Sequence, residues 1–338
     1  MLTITDLVNI DTQAMYKIYD IWPQIARESY ESVNDVIDYK NIDHIVFAGV
    51  GGSGAIGDLF SAILSKSNIH VSLTKGYLLP NTVDSNTLVV TTSVSGNTAE
   101  TLTVLESAKK TDCKIIGFSD GGLMMDYCTK NNLEHRHVQR IHSPRVSFIK
   151  YVYYILGTLN SVIPIKKTDV LESLSELDRV STKLRSDNLT ETNPSMMLAD
   201  WIEGIPLIYY PWGLQAAAIR FKNSLQENAK IHAMAEDIIE ACHNGIVSWE
   251  KPSNVQPILL RGVDDYIKTK ERWNIIKEYF EKHNICYKEV YSIEGNILSK
   301  LVCLIYLLDY TSIYYAVGCN IDPSPVKSID FIKERLSK

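Results

Sequence analysis

The apolar positions of the chain alternate between short continuous runs and stretches with helical spacing. His44–Ala48 is an apolar run that ends at glycines, which is typical of a buried strand. After Ser53, apolar residues recur at every third or fourth position, which predicts a helix. The same pattern predicts three more strands and one more helix, at Ile69–Leu73, Thr87–Thr92, Ile115–Phe118 and Thr98–Lys110. Strands that alternate with helices indicate a parallel sheet that is covered on both faces.

A second and weaker copy of this alternation occupies the rest of the chain. A polar connector at residues 161–193, with a helical stretch near 170–184, separates the two copies. We predict strands in the second copy at 206–210, 257–261 and 287–291, and helices at 214–229, 266–281 and 296–317. The fold class that follows is α/β, with two doubly wound halves, each a mainly parallel sheet flanked by helices.

The length of the chain, 338 residues, agrees with two domains at roughly 100–200 residues per domain. We predict an N-terminal domain at 1–155, which begins with a helical lead-in over residues 1–40, and a helical connector at 156–193. The C-terminal domain is predicted at 194–338 and includes a final helix. Hydrophobic residues make up 45% of the chain and charged residues 22%, which argues against a disordered, collagen-like or disulfide-dependent protein.

The charge balance is acidic, with 34 Lys and Arg residues against 40 Asp and Glu residues and a net charge of −6. The sequence contains no dense run of Lys or Arg, so we expect no nucleic-acid partner. An acidic protein that binds an anion must do so locally, through backbone N–H groups, hydroxyls and a few well-placed cations.

Six cysteines are scattered along the chain, and no two of them form a CxxC pair, so a zinc or thioredoxin-type site lacks support. The N-terminus has no basic region followed by an apolar run, so we expect no signal peptide. The apolar stretch Ile297–Leu308 is interrupted by Lys300 and is judged too short to span a bilayer. These features predict a soluble, cytoplasmic protein that does not enter a membrane.

A glycine-rich loop follows the first predicted strand. Gly49, Gly51 and Gly54 match the dinucleotide-binding pattern G-x-G-x-x-G. That pattern requires a ribose-binding acid at the end of the next strand, and here this strand ends in Leu73-Thr74-Lys75. Two alternatives to a nicotinamide site remain: a tight turn that needs glycines for packing, or a loop that lets a ligand approach the backbone beside the Ser53 hydroxyl.

A loop rich in serine and threonine follows the third predicted strand. Ser93, Ser95 and Thr98 surround Gly96 where a helix is predicted to begin. The free N–H groups and the dipole at a helix N-terminus favour an anion, and hydroxyls add neutral donors. Ordinary capping by Ser95 or Thr98 is the alternative, but capping requires only one of these hydroxyls. Because both loops lie at the carboxyl edge of a predicted α/β sheet, sugar phosphates become the leading ligand class.

Two loops resemble the signature loops of the sugar isomerase (SIS) domain: GVGGSG at 49–54 and SVSGNTAET at 93–101. Further motifs occur in the same order as in the bifunctional phosphoglucose/phosphomannose isomerases, and the resemblance runs from about residue 40 to the C-terminus. These motifs are Ser143–Arg145, Gln226–Lys230, Cys242–Asn244 and Asp322–Val326.

The resemblance implies an aldose–ketose isomerase with two SIS-type halves. Its expected reactions interconvert glucose 6-phosphate or mannose 6-phosphate with fructose 6-phosphate, by proton transfer through an enediolate. It implies no cofactor and no metal, and it implies a homodimer whose active sites are shared between subunits. His135 and His137 lie two positions apart without a further ligand set, so they predict no metal site either. A non-catalytic protein that binds a sugar phosphate and a nicotinamide-dependent oxidoreductase are the alternatives.

Four residues acquire catalytic roles through the resemblance. Glu227 is the expected base, although the residues alone also fit a surface glutamate at a helix end. His243 is expected to open the sugar ring from the partner subunit, and in this chain Gly245 stands where the family commonly has an acid. Arg145 is expected to stabilise the enediolate, and Lys333, with Lys327 close by, to contact the substrate and assist ring opening. Besides Arg145, His243 and Lys333, the expected substrate contacts are Gly52, Ser53, Ser93, Ser95 and Thr98.

Overall fold

A computed structural model describes residues 2–336 of the protein and contains nine β-strands in that range. Five strands lie in the first half: β1 His44–Ala48, β2 His70–Thr74, β3 Thr87–Thr92, β4 Lys114–Ser119 and β5 Glu134–His137. Four strands lie in the second half: β6 Ile205–Tyr210, β7 Met234–Asp237, β8 Val255–Arg261 and β9 Lys288–Tyr291.

Helices precede, connect and follow these strands. Those before and within the first half are α1 Ile4–Ile10, α2 Met15–Asp20, α3 Trp22–Glu31, α4 Gly52–Leu64, α5 Ala99–Ala108, α6 Gly122–Lys130 and α7 Phe148–Thr158. The others are α8 Lys167–Leu184, α9 Pro194–Trp201, α10 Gln215–Ser224, α11 Ile238–Ala241, α12 Ile267–Lys282, α13 Ile297–Gly318 and α14 Lys327–Leu336. Two 3₁₀ turns occur at Trp212–Leu214 and Gly245–Glu250, and a π turn at Leu225–Ala229 extends α10.

Both sheets are parallel and share one strand arrangement. The first sheet has the order β2-β1-β3-β4-β5, and the second has the order β7-β6-β8-β9. In each sheet the first strand in sequence lies between the second and the third, so the winding direction reverses between β1 and β3, and again between β6 and β8. The predicted α/β fold with two doubly wound halves is confirmed. The domain boundaries at 155/156 and 193/194 stay predictions.

Most predicted strands agree with the structure to within two residues, but β5 and β7 were missed. Each has only four residues, forms an edge of its sheet, and carries the polar sequence EHRH or MAED. An edge strand pairs on one side and stays partly open to solvent, so it needs no continuous apolar run. The hydrophobic pattern that identified the central strands is therefore absent from these two.

Helix α13 forms the centre of the second half. It has 22 residues, and 83% of its most apolar 18-residue window is buried inside the protein. By length and composition alone it could cross a membrane, so the prediction that the apolar stretch ends at Leu308 and is too short was wrong. Its burial against α8, α9 and α10 instead identifies it as a core helix.

The N-terminal lead-in packs onto α13 and joins the two halves into one core. Trp22 stacks on Tyr306 with ring centroids 5.3 Å apart, and the Tyr306 hydroxyl donates to the Tyr19 carbonyl at 2.6 Å. These contacts bring residues nearly three hundred positions apart in sequence into one hydrophobic cluster. The lead-in contains the helices α1, α2 and α3, which end at Glu31, whereas residues 33–43 contain no helix, so the predicted helical lead-in to residue 40 is too long.

Candidate active site

The two predicted ligand-binding loops lie side by side at the carboxyl edge of the first sheet. One joins β1 to α4 and the other joins β3 to α5, and β1 pairs directly with β3. The buried Ser53 hydroxyl accepts a hydrogen bond of 3.3 Å from the Val94 N–H, so the loops also touch each other. They flank the point at which the winding of the sheet reverses, where open α/β sheets bind their ligands.

The hydroxyls of the second loop are not used for ordinary helix capping. Ser93 and Thr98 share a hydrogen bond of 2.9 Å between their side-chain oxygens, and Thr98 makes no side-chain capping bond within the described chain. Ser95 accepts from the Asn97 N–H at 3.3 Å. Gly96 has φ +70°, and a Cβ there would lie 1.8 Å from the Gly121 carbonyl oxygen. The tight turn therefore requires glycine, and it leaves the N-terminus of α5 available to an anion.

Arg145 joins the glycine loop to the second half of the molecule. A Cβ on Gly52 would approach the Arg145 backbone to 3.1 Å, so the missing side chain lets the two segments touch. Arg145 itself is only 5% exposed, so it is not a solvated surface arginine. The structure thus brings three predicted substrate-contact residues, Gly52, Ser53 and Arg145, into one continuous region.

The Arg145 guanidinium donates hydrogen bonds to two separate segments of the second half. Its Nε donates to the Asn228 side-chain oxygen at 2.7 Å, and its Nη1 donates to Glu227 Oε2 at 3.3 Å. Its Nη2 donates to the Pro323 carbonyl at 2.8 Å and to the Ser324 carbonyl at 2.9 Å. The planar, five-donor guanidinium can hold all four acceptors at once, which a lysine could not do.

Glu227 lies on the π turn at the end of α10, as predicted for a helix end. Its side chain is 25% exposed, and the contact with Arg145 is long for a charge-assisted hydrogen bond. The neighbouring Asn228 is buried and fixed, because its amide donates to the Ser312 hydroxyl at 2.9 Å. π turns inside helices occur often at functional sites. The turn presents a carboxylate that is held by one cation and still open on one side.

Lys230 supports the same region from the end of the π turn. It adopts the left-handed backbone conformation with φ 58°, and its Nζ donates to the carbonyls of Asn228, Asp322 and Pro323 at 3.0, 2.8 and 3.2 Å. Burial, together with the positive charge of Arg145, lowers the pKa of Lys230 to about 8. Lys230 and Arg145 therefore hold the Pro323 carbonyl jointly.

His243 and Lys333 are exposed residues of the second half. His243 follows α11, its N–H donates to the Glu240 carbonyl at 2.8 Å, and its side chain makes no hydrogen bond to Glu227 within residues 2–336. In the same loop, a Cβ on Gly245 would lie 2.6 Å from both carboxylate oxygens of Glu236. The Glu236 carboxylate thus fills the space beside residue 245. Lys333 lies on α14, which follows the segment held by Arg145.

The paired histidines near the edge of the first sheet have structural partners. His135 shares a hydrogen bond of 2.8 Å with the Ser119 hydroxyl, and His137 lies 3.3 Å from Asp120. Among residues 2–336, no group of three or more His, Cys, Asp or Glu side chains is arranged to hold a metal ion. The absence of a metal from the reaction stays a prediction.

Several residues of this region received no role from the sequence. Asn228 and Lys230 belong to a motif that was singled out, so their position beside Glu227 was a usable signal. Asp309 was also visible, as a charge in the middle of an apolar helix. Arg220, which pairs with Asp309, carried no such signal.

Family models match both halves of the chain. A model of the bacterial phospho-glucose isomerase C-terminal SIS domain matches residues 191–336, and a model of the SIS domain matches residues 38–123. Among solved structures, the C-terminal domain of glucosamine-fructose-6-phosphate aminotransferase from Francisella tularensis superposes with a TM-score of 0.70 at 15% identity. The match covers 92% of this chain and 98% of that one, and it supports the fold alone.

Curated relatives match almost the whole length of the chain. It is 31% identical to a bifunctional phosphoglucose/phosphomannose isomerase from Caldicellulosiruptor bescii, over 95% of this chain and 98% of that protein. It is 28% identical to a protein of the same name from Aquifex aeolicus, over 94% of each chain. The matches therefore extend over both halves of the chain, which contain the ordered motifs. The chain belongs to the bifunctional phosphoglucose/phosphomannose isomerase family.

Proposed function

We propose that this protein is an isomerase that interconverts glucose 6-phosphate or mannose 6-phosphate with fructose 6-phosphate without a metal. Family membership supports the substrate class. The observation that carries the proposal is the contact between Glu227 and Arg145, a half-open carboxylate and a buried guanidinium beside the two loops of the first sheet. This pair unites a base and an electrophilic group at one point.

The chemistry requires one base that serves two carbon atoms. The Glu227 carboxylate removes the proton from C2 of the open-chain aldose and returns it to C1, while the hydroxyl proton moves from O2 to O1. Arg145 stabilises the negative charge that develops on these oxygens in the enediolate. Glucose 6-phosphate and mannose 6-phosphate differ only at C2, so both give the same enediolate. One Glu227–Arg145 pair can therefore serve both aldoses.

The phosphate is expected to bind at the loops of the first sheet. Hydroxyls of Ser53, Ser93, Ser95 and Thr98 lie near the N-terminus of α5, where the helix dipole attracts an anion. This arrangement supplies donors without a basic patch, which suits a chain of net charge −6. The phosphate then holds the sugar so that C1 and C2 extend towards Gly52 and Arg145.

Ring opening is expected to require a second subunit, with His243 supplied by the partner and Lys333 contacting the sugar. The exposed position of His243 supports this arrangement. Val247 nearby is 58% exposed, and a surface hollow of about 610 Å³ beside the same loop is lined in part by Met234, Gly245 and Trp249. Apolar surface of this kind is typical of an interface. All six cysteines are free thiols in the described chain, which suits the cytoplasmic location that we propose.

The isomerase activity is tested by incubating purified protein with glucose 6-phosphate and, separately, with mannose 6-phosphate, and measuring the fructose 6-phosphate formed. We expect turnover of at least one aldose without added metal and in the presence of a chelator. Folded protein that turns over neither substrate would contradict the proposal. Saturable binding of both sugar phosphates without turnover would instead identify a non-catalytic binding protein.

The shared active site is tested by mixing two inactive variants, Glu227→Gln and His243→Gln. If each site takes Glu227 from one subunit and His243 from the other, a mixed dimer contains one site with both native residues. Co-refolded or co-expressed variants should then regain activity that neither has alone. Two variants that stay inactive in a mixture shown to contain mixed dimers would place both residues of a site in the same chain.

A further inference from the structure

A second pair of opposite charges lies directly behind Arg145. Arg220 of α10 and Asp309 of α13 are buried, with side chains 4% and 0% exposed, respectively. The Arg220 guanidinium donates to Asp309 Oδ2 through Nε at 3.0 Å and through Nη2 at 2.6 Å. The same Nη2 also donates to the backbone carbonyl of Arg145 at 2.8 Å. The buried pair therefore acts directly on the main chain of the proposed electrophile.

The Asp309 carboxylate and the face of the Arg220 guanidinium have further partners. Asp309 Oδ1 accepts from the Ser224 hydroxyl at 2.8 Å, and Oδ2 accepts from the Tyr19 hydroxyl at 3.0 Å. The Arg220 guanidinium lies over the Phe148 ring at 4.0 Å, within range of a cation–π contact. Burial alone would lower the pKa of Arg220, but the neighbouring groups, foremost the Asp309 carboxylate, together outweigh burial and leave that pKa above its ordinary value. The guanidinium thus stays charged although it is sealed from water.

Such a pair is not explained by stability alone. Desolvation of two ions costs about as much as their attraction returns, and well-packed apolar residues often stabilise a core equally well. Helix α13 is mostly apolar and buried, so the charge at position 309 is an exception within it. The pair needs a further role, and the contact with the Arg145 carbonyl provides one.

We propose that Arg220 and Asp309 are positioning residues that fix Arg145 for the isomerase reaction. The Arg145 main chain is held by Arg220, whose partner Asp309 belongs to α13. The Arg145 side chain is also linked to α13. Its Nε donates to the Asn228 side-chain oxygen, and the Asn228 amide donates to the hydroxyl of Ser312, which lies on α13. Two routes therefore anchor Arg145 to one core helix, the first through its main-chain carbonyl and the second through its guanidinium. This inference deepens the proposed isomerase function and rests on it.

The principal test is the double variant R220M/D309N, which removes both charges and leaves neither ion unpaired. We expect it to fold and to lower kcat by about 10²-fold, with KM changed by less than about threefold, since small misplacement of a reacting group has effects of this size. Binding of a five-carbon aldonate phosphate, whose carboxylate mimics the enediolate, should weaken in proportion to kcat. Binding of inorganic phosphate should not change.

A second variant and a matched control separate positioning from stability. R220K keeps the positive charge but loses the planar guanidinium that donates through two nitrogens. It should therefore lower kcat and the affinity for the aldonate phosphate, each by a smaller factor than R220M/D309N does. The control is R261M in the second sheet, because Arg261 pairs with the carboxylate of Glu289 and lies over Tyr291 without contacting Arg145. R261M should lower the melting temperature and leave kcat and mimic affinity unchanged.

The outcomes distinguish the inference from the function on which it rests. A wild-type protein without turnover would refute the proposed isomerase, whatever the variants do. With an active wild type, R220K or folded R220M/D309N with native kcat and native mimic affinity would overturn the positioning role. Equal losses of kcat in R220K and R261M at equal melting temperatures would also overturn it, because they would reduce the effect to stability.

Discussion

Two arginine–carboxylate pairs meet at Arg145, and they differ in how far each is closed to solvent. In the first, Arg145 Nη1 lies 3.3 Å from Glu227 Oε2, and the Glu227 side chain is 25% exposed. In the second, Arg220 Nη2 lies 2.6 Å from Asp309 Oδ2, and the Asp309 side chain is 0% exposed. The residue types are nearly the same, so the difference in role must come from burial and from the number of bonds each carboxylate accepts.

The number of donors around each carboxylate explains why only one can act as a base. Asp309 is fully buried and accepts four side-chain hydrogen bonds, two from Arg220 and one each from Ser224 and Tyr19. In the described chain Glu227 accepts one side-chain hydrogen bond, from Arg145. A carboxylate with free lone pairs and an open side can take a proton from a substrate carbon, and a saturated one cannot. The first pair, Arg145 and Glu227, is therefore suited to reaction, and we call it the open pair. The second pair is suited to structural support of Arg145.

The largest effect is expected from E227Q, which removes the base but keeps the shape of the side chain. We expect kcat to fall by about 10²–10⁴-fold, the range typical of general-base removal, with little change in KM. The free energy of unfolding should change by less than about 1 kcal/mol, because the pair with Arg145 is partly exposed. Steady-state kinetics and chemical denaturation measure both quantities.

The matched control for E227Q is E278Q, an exposed glutamate on α12. It should change neither kcat nor the free energy of unfolding. If E227Q retained a native kcat while E278Q behaved as expected, the open pair would not contain the base, and the contrast between the two pairs would lose its chemical meaning.

A second, smaller effect is expected at the loops of the first sheet, which are predicted to hold the phosphate. S93A and T98V each remove a hydroxyl from the pair that shares a 2.9 Å hydrogen bond. A hydrogen bond to a charged group contributes roughly 1.5–3 kcal/mol, so each variant should raise KM by about 10-fold or more and change kcat less. This result would assign binding to the loops and chemistry to the open pair.

Thr103 on the same helix provides the control for these loop variants, because its hydroxyl donates to the Ala99 carbonyl at 2.9 Å and its side chain lies on an exposed face. T103A should leave KM unchanged. Loop variants that lower kcat without raising KM would assign the loops to the chemical step. Binding by the loops could then no longer be separated from chemistry at Arg145 and Glu227.

The sequence predicted the loop region more completely than the region around Arg145. Strands β1 and β3 are continuous buried runs, and the loops that follow them contain the glycines and hydroxyls of the proposed phosphate site. Each loop is a local feature, and the parallel α/β pattern alone brings neighbouring strand ends together. The fold class and the position of the loops followed from this pattern.

The surroundings of Arg145 depend on contacts that local patterns do not encode. Its hydrogen-bond partners Asn228 and Ser324 are 83 and 179 positions away in sequence. The π turn that presents Glu227 forms the end of the helix predicted at 214–229, and no local pattern marks the change from α-helical to π-helical geometry. Arg220 has no signal of its own, since a buried arginine and a surface arginine look alike in one sequence. Residue types were therefore predictable here, but their bonding was not.

A third prediction concerns Lys230, which shares the Pro323 carbonyl with Arg145. Burial and the Arg145 charge lower the pKa of Lys230 to about 8, so the amine is protonated below that pH and neutral above it. The neutral amine has two donors instead of three and loses one carbonyl bond. We expect kcat/KM to decline above pH 8 in the wild type and to stay level in K230R, whose side chain remains charged.

The control for K230R is K268R, on the exposed face of α12, which should keep the wild-type pH profile. An alkaline decline that is identical in wild type and K230R would show that Lys230 does not tune the open pair.

The smallest effect is expected at His142, which lies at the border of the open pair, 3.4 Å from the Ser324 hydroxyl. Burial and the Arg145 charge lower the pKa of His142 below its ordinary value. Below about pH 6.5 the imidazole of His142 therefore binds a proton more readily in the unfolded chain than in the folded chain, and the stability that depends on this group is lost as the pH falls through the lowered pKa. H142N suits the left-handed backbone at this position, where φ is 57°, and it should make the melting temperature less sensitive to acid.

Asp11 is the matched comparison for His142, because both side chains contact the Ser324 hydroxyl and form one small cluster with it. Their pKa values shift in opposite directions. Burial raises the pKa of Asp11, so its folded form binds a proton more readily, and acid favours the folded state through this group. D11N should therefore make melting more sensitive to acid, whereas H142N should make it less so. If both variants shifted the acid dependence in the same direction, protonation of this cluster would not govern it. Opposite shifts with unchanged kcat at neutral pH would confine the cluster to stability and leave the chemistry to Glu227 and Arg145.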